Sequence, residues 1–253
     1  MKTLAVIPAR LGATRLPRKP LRLLAGVPMV IRVMERVAAL RVAERIVVAT
    51  DSEEIADVVD EAGGEAVLTS DRHPSGTDRI NEVVRKGGFG DYDVVLNVQG
   101  DEPFVTGAAI RGALFQVTEG LFPLGTVAAV ADPRVLQQPD AVKVIRADDG
   151  AAMYFSRAAV PHLRDTADRA LRDEIVLHHI GVYTYTPEAL SRWVALPPHR
   201  LELVERLEQL RPLAAGMRIG VAVIDEAPRG GIDTELDLER ANADWMSFTA
   251  TDR

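Results

Sequence analysis

The chain has 253 residues, 47% of them hydrophobic and 26% charged, enough to bury a full core, and its 37 acidic against 30 basic side chains leave a net charge of -7. That acid excess disfavours general nucleic-acid or membrane-surface binding, because either polyanion would be repelled over most of the surface. The absence of cysteine excludes disulfides, thiolate metal sites and a cysteine nucleophile, and no apolar run reaches the roughly 18 residues of a membrane span. An N-terminus running straight into a strand argues against a signal peptide, so a soluble cytoplasmic protein with a small ligand is expected.

In chain order, Leu4 to Pro8, Ile46 to Thr50, Ala66 to Thr69 and Val94 to Val98 are short apolar runs rich in β-branched residues. Amphipathic stretches separate them. Helices are predicted over Val27 to Leu40, Ser52 to Ala62 with Asp51 or Ser52 as cap, Asp78 to Lys86, and Thr106 to Val117. This alternation predicts an α/β fold with a mostly parallel central sheet. Beyond it, Gly125 to Asp132, Val142 to Ala147, Met153 to Ser156 and Val176 to Tyr185 read as strands without intervening helices, which predicts antiparallel pairing or an arm. Arg200 to Leu213 reads as helix, Arg218 to Glu226 as strand, and Thr234 to Phe248 as a closing helix capped by Asp233 or Thr234. No linker cuts the chain, so a single domain over residues 1–253 is expected, with an excursion near residues 133–212.

Ligands of open parallel sheets sit beyond the carboxyl ends of the strands, and the chemically informative residues fall there. After the first strand, PARLGATRLPRKPLR brings Arg10, Arg15, Arg18, Lys19 and Arg22 together before any acidic residue appears at Glu35. A strand, a small-residue loop and five cations suit a phosphate-rich ligand; the plain alternative is a solvated basic loop. The segment Ser70 to Arg79 sets Gly76 between hydroxyl residues and ends in Asp78 and Arg79, which suits a ribose or base edge and equally a helix start capped by Ser75 or Thr77. In VLNVQGDEPF an apolar strand runs into Gln99, Gly100, Asp101 and Glu102. Adjacent carboxylates at a strand end are costly unless compensated, and Mg²⁺ would compensate them. Asp233 follows two glycines and precedes a helix, so it is either a simple N-cap or a second ligand of the same ion.

The motifs PARLGATRLPRKPL, TSDRHPSGTDRINEV, NVQGDEP, YFSRAAVP, HHIGVYTY, LVERLEQLR and GIDTELDLER stand in the order and spacing of the 3-deoxy-manno-octulosonate cytidylyltransferase (CMP-Kdo synthetase) family, which the chain resembles over nearly its whole length. The resemblance implies a Rossmann-like nucleotidyltransferase fold, a homodimer formed through the excursion, and coupling of CTP to Kdo with release of pyrophosphate for lipopolysaccharide biosynthesis. It implies that Ala9, Arg10 and Lys19 meet the triphosphate, that Arg15 lies near the reacting groups, and that Ser75, Gly76, Asp78, Arg79 and Gln99 border the cytidine. By the same resemblance Asp101 and Asp233 are Mg²⁺ ligands, completing a catalytic set with Arg10, Arg15 and Lys19. The sugar acid falls to Arg157, His179, Tyr183, Glu208 and Gln209. Each of these has a structural alternative: Tyr183 as core or dimer interface, for instance, and Glu208 as a helix-surface charge.

Two positions depart from the family pattern. Arg18 stands where glycine is usual, so it either strains a left-handed turn or adds a phosphate contact, and His178 stands where arginine is common. The expected reaction is in-line attack of the anomeric hydroxyl of Kdo on the α-phosphorus of CTP. Alternatives are another sugar acid, such as 8-amino-Kdo or a sialic acid, another nucleotide, or a nucleotide-binding homologue without turnover.

Overall fold

The computed structural model describes residues 1–13 and 15–251. Two compact units divide it: Met1–Thr106 with the residues from Pro228 onward, and Gly107–Ala227.

The first unit contains β1 (Thr3–Ala9), a small ribbon of β2 (Leu23–Leu24) and β3 (Val27–Pro28), α1 (Met29–Leu40), β4 (Arg45–Thr50), α2 (Glu53–Glu61), β5 (Ala66–Leu68), α3 (Gly76–Arg85), β6 (Val94–Asn97) and the C-terminal helix (Glu235–Thr251). Its main strands pair in the order β6-β1-β4-β5, all parallel, so the expected α/β fold with a mostly parallel sheet is what forms here. Leu4, Ala5, Val6 and Ile7 of β1 are all fully buried, as a central strand covered on both faces requires. Because β4 and β6 flank β1 on opposite sides, the loops leaving β1 and β6 diverge at a topological switch point, the usual ligand position in such sheets.

The choice between Asp51 and Ser52 as a helix cap resolves cleanly. Ser52 caps α2, accepting from the Ile55 amide at 3.4 Å, which leaves Asp51 for a different task. Arg79, on the buried face of α3, donates to Asp51 Oδ2 at 2.8 Å and to Thr69 Oγ1 at 2.5 Å. One guanidinium thus ties the carboxyl ends of β4 and β5 to the helix that begins at Ser75, and its side chain is only 4% exposed.

The second unit comprises α4 (Gly107–Thr118), β7 (Leu124–Val130), β8 (Lys143–Arg146), β9 (Ala152–Ser156), α5 (Arg169–Glu174), β10 (Leu177–Tyr185), α6 (Pro187–Ala195), α7 (Arg200–Glu205), α8 (Leu210–Ala214) and β11 (Ile219–Ile224). Within it, β7 pairs antiparallel with β10 and parallel with β11, while β8 and β9 form an antiparallel pair reached through His178 and Lys143. The antiparallel expectation is therefore correct, but the absence of helices is not. A 3₁₀ turn and α5 separate β9 from β10, and α6 follows it, capped by Thr186 with Pro187 in its first turn. The predicted helix Arg200 to Leu213 is broken in two: Arg206 adopts φ 55°, ψ 46°, a left-handed stop that ends α7 before the buried Leu207. Helical periodicity continues through that turn because Leu207 and Leu210 are both buried, which is why the break is invisible in the pattern.

The Asp51–Arg79 pair supplies a stability prediction. Asp51→Ala leaves a buried guanidinium uncompensated and should cost about 3 kcal/mol in denaturant unfolding, whereas a loss below about 1 kcal/mol would show that solvent or another group serves Arg79 as well.

Candidate active site

The charged residues that the chain scatters over more than two hundred positions are assembled by an apolar cluster in the first unit. Leu16, Leu24, Met29, Phe104, Ile232, Leu238, Ala241 and Trp245 are buried together, with Phe248 packed against them. Leu16 lies three residues before Lys19, Phe104 three after Asp101, and Ile232 directly before Asp233. Burying these anchors carries their polar neighbours to one place. Phe104 meets the Phe248 ring edge-on at 4.9 Å and Trp245 at 5.8 Å, and the Ile232 amide donates to the Asp101 carbonyl at 3.0 Å.

Above this cluster the Lys19 ammonium donates to both carboxylates, to Asp101 Oδ2 and, at 2.8 Å, to Asp233 Oδ1. Arg15 Nη2 stands 3.0 Å from the other oxygen of Asp233. Burial by itself would depress the Lys19 pKa, but Asp101 and then Asp233 outweigh it and raise the value above its ordinary level. Asp233 is free for this role because it is not the cap: the Thr234 hydroxyl accepts from the Asp237 amide at 3.2 Å while Asp237 Oδ2 accepts from the Thr234 amide at 2.9 Å. That reciprocal pair is a capping box built with aspartate. Two hard oxygen donors thus converge on a single cationic nitrogen, the arrangement a divalent ion bound by two carboxylates, water and phosphate oxygens also needs.

Glu102 behaves differently from its neighbour. Desolvation, then the charges of Asp101 and Asp233, push its pKa up to about 8 against the opposing pull of Lys19 and the Gly231 amide. Near neutrality it is mostly protonated. Gly231 is confined by the same packing, since a β-carbon there would lie 2.9 Å from Glu102 Oε1 and 3.2 Å from the Asp101 carbonyl oxygen.

The residues expected on the nucleotide side gather at the switch point. Ala9 ends β1 and Arg10 follows it, exposed. A β-carbon on Gly100 would sit 2.8 Å from the Pro8 carbonyl oxygen, and one on Gly76 would sit 3.3 Å from Pro8 Cγ and 4.0 Å from Gln99 Oε1. Both glycines therefore let the loop after β6 and the N-terminus of α3 close on the end of β1. Ser75 caps α3, accepting from the Asp78 amide at 3.3 Å and donating to Asp78 Oδ2 at 2.6 Å. Arg18 occupies a left-handed conformation, φ 57°, which explains a glycine preference there, and its guanidinium pairs with Glu54 of α2. Holding a non-glycine residue in that region costs about 1 kcal/mol.

Of the residues expected on the sugar side, all in the second unit, His179 and Tyr183 stand together on β10 with ring centroids 5.4 Å apart. The buried Tyr183 hydroxyl has no hydrogen-bond partner among the described residues, and burial pushes its pKa well above the usual phenol value. An orphaned buried hydroxyl is costly unless something completes it. Arg157 follows β9 and meets the turn that carries Glu208 and Gln209: its Nε donates to the Glu205 carbonyl at 2.8 Å. The sequence reading passes over Glu205, which lies in no alternation or carboxylate pair that would single it out. His178 and His179 face opposite ways, His179 bonding Thr126 Oγ1 at 3.0 Å, and among the described residues no group of three or more His, Asp or Glu gathers as a metal cage.

A family model described as cytidylyltransferase matches residues 4–219. A curated relative from Gemmatimonas aurantiaca, 57% identical over 97% of this chain and 95% of its own length, is a 3-deoxy-manno-octulosonate cytidylyltransferase. So is one from Yersinia pseudotuberculosis, 43% identical over 96% of this chain and 98% of its own. The solved structure of CMP:2-keto-3-deoxy-manno-octonic acid synthetase complexed with CTP superposes with a TM-score of 0.89 at 34% identity, covering 98% of this chain and 99% of that one. The chain belongs to the cytidylyltransferases, and within them to the 3-deoxy-manno-octulosonate cytidylyltransferase family.

His179 gives the site a pH signature. Burial, then the neighbouring His178, lowers its pKa to about 3 from an ordinary value near 6.5. The unfolded chain therefore binds a proton that the folded one refuses, and stability falls as pH drops below 6.5 towards 3. Replacing it in His179→Gln should remove about 1 kcal/mol of the loss between pH 6.5 and 5.5, read by urea unfolding at the two pH values; an unchanged slope would mean that His179 titrates normally.

Proposed function

We propose that this chain couples CTP to 3-deoxy-D-manno-octulosonate, giving CMP-Kdo and pyrophosphate, as a step supporting lipopolysaccharide synthesis in the cytoplasm. The observation that carries this reading is the meeting of Asp101 and Asp233 on the Lys19 ammonium, beside Arg15 and the switch-point loops. The whole of residues 1–253 acts as one nucleotidyltransferase module in this reading, with residues 133–212 serving the sugar and the dimer.

The difficulty of the reaction is bringing two anions together. Arg10 and Lys19 hold the triphosphate and steady the departing pyrophosphate, and Arg15 lies close enough to Asp233 to reach the reacting groups. Ser75, Gly76, Asp78 and Gln99 border the cytidine, with Arg79 fixing the wall behind them through Asp51 and Thr69. Asp101 and Asp233 would hold a Mg²⁺ ion, which would supply charge neutralisation and acidify the attacking hydroxyl. The anomeric oxygen of Kdo forms the new bond to the α-phosphorus while the bond to the pyrophosphate oxygen breaks. Arg157, His179, Tyr183, Glu208 and Gln209 receive the sugar acid, the unsatisfied Tyr183 hydroxyl being the group most in need of a ligand oxygen. Proximity and charge neutralisation supply most of the rate.

Pyrophosphate release from CTP, measured with Kdo, 8-amino-Kdo and a sialic acid in parallel, tests the reading. Turnover is expected with Kdo foremost; release with a different acid alone reassigns the sugar, and CTP binding without release from any of them leaves a nucleotide-binding protein without turnover. In the same assay Asp101→Asn and Asp233→Asn should each lower kcat by at least about 100-fold while changing CTP affinity far less. Full activity in either variant would remove that aspartate from the metal role.

The homodimer is proposed through the second unit. Its α7 exposes Leu201, Leu203 and Val204, the last by 81%, and Met153, Leu171 and Ile175 are each more than half exposed. Exposed apolar side chains in such number are costly in a monomer. Sedimentation velocity should show a dimer for the unmodified chain and a shift towards monomer for Val204→Asp; a monomeric unmodified chain would end this part of the proposal.

A further inference from the structure

Two polar groups of the second unit stand outside the roles given above: the Lys143 ammonium, satisfied by three backbone carbonyls, and the Glu205 carboxylate.

Glu205 is the last residue of α7, immediately before the left-handed Arg206. Its carboxylate does not face solvent as a helix-surface charge would. Oε1 accepts from the hydroxyl of the buried Ser156 at 2.7 Å, Oε2 accepts from the Arg157 amide at 2.9 Å, and its own carbonyl accepts from Arg157 Nε at 2.8 Å. Arg157 Nη1 is held in turn by the Pro139 carbonyl at 3.1 Å, and the Arg157 carbonyl by the fully buried Lys143 ammonium at 2.6 Å. Lys143 Nζ also donates to the carbonyls of Ala141 at 2.6 Å and Gln138 at 3.0 Å. Two nitrogens of the Arg157 guanidinium thus donate to backbone oxygens, which fixes its plane.

The same residue governs the turn that follows. Arg206 reverses the chain, Leu207 is buried, and Glu208 and Gln209 come next. On the far side the turn is pinned by Glu202, whose buried carboxylate accepts from Arg211 Nε at 2.8 Å. Glu205 therefore connects the end of β9 to the end of α7, three residues before Glu208. We infer that Glu205 is a positioning residue for the sugar acid: its carboxylate, by holding the Ser156 hydroxyl and the Arg157 amide, keeps the main chain of Arg157 against the end of α7, where the Glu205 carbonyl takes the Arg157 Nε, and so fixes where the guanidinium starts from. This rests on the reading that Arg157 and that turn bind the sugar.

The test compares steady-state constants of the full chain for Kdo and for CTP in Arg157→Ala, Glu205→Ala and Glu205→Gln. Glu205→Ala should raise the KM for Kdo at least 10-fold, with kcat and the KM for CTP within about 3-fold. Glu205→Gln keeps one acceptor oxygen but offers an N–H to a donor, so it should fall between the alanine variant and the unmodified chain, and it decides the matter if the alanine variant does not fold. If Arg157→Ala raises the KM for Kdo and neither Glu205 variant does, the positioning role is overturned while the sugar reading survives. If Arg157→Ala leaves that KM unchanged, the sugar reading of Arg157 fails and the role of Glu205 with it. A parallel rise in the constants for both substrates would mark Glu205 as merely structural and also overturn the inference.

Discussion

The first unit is organised by one constraint: the apolar cluster of Leu16, Phe104, Ile232 and the C-terminal helix must be buried, and each of those anchors has a charged residue a few positions away. Hydrophobic burial is non-directional, but the chain is covalent, so seating Ile232 beside Phe104 leaves Asp233 almost no choice about where it goes. The electrostatic result is two carboxylates held near each other, with a third, Glu102, kept neutral by desolvation. Lys19 is the counter-charge that makes this tolerable. Apolar packing thus finances an arrangement of like charges that would otherwise open.

The same logic, with different chemistry, recurs in the second unit. There the organising groups are polar: the buried Lys143 on three carbonyls, the buried Glu202–Arg211 pair, and the half-buried Glu205 between Ser156 and Arg157. Networks of this kind are costly when incomplete and rigid when complete. Rigidity is the property by which a site discriminates ligands through hydrogen bonds, since polar groups built to pair with one ligand are left unpaired by another. Tyr183 is the exception among the described residues, a buried hydroxyl without a hydrogen-bond partner.

Family membership and geometry support each other at the site, and they do so unevenly. For Asp101, Asp233, Lys19 and Arg15 the structure adds contact distances to what the motifs imply. For Arg79 it adds a partner set, Asp51 and Thr69, with the side chain almost fully buried. For Arg18 it supplies the reason glycine is usual at that position and shows the side chain engaged with Glu54.

Much of this was legible from the residues alone. The β-branched runs of β1, β4, β5 and β6 and the spacing of the helices between them determined the parallel layer, because a strand buried on both faces has to be continuously apolar. The basic loop, the adjacent acids after β6 and the glycines before Asp233 marked the site, since such groups at strand ends need compensation. Other features were decided only in three dimensions. Asp233 and Thr234 were equal candidates for the cap until Asp237 took the partner role, and Asp51 and Ser52 until Arg79 claimed Asp51. The break at Arg206 was hidden because both sides of it bury leucines at helical spacing. Glu205 lies inside the LVERLEQLR motif, but nothing in that stretch of sequence shows what its carboxylate holds. Local sequence determines which conformations a segment prefers and which face it must bury; which of two equivalent polar groups is used, and what a lone carboxylate holds, depends on partners far away in the chain.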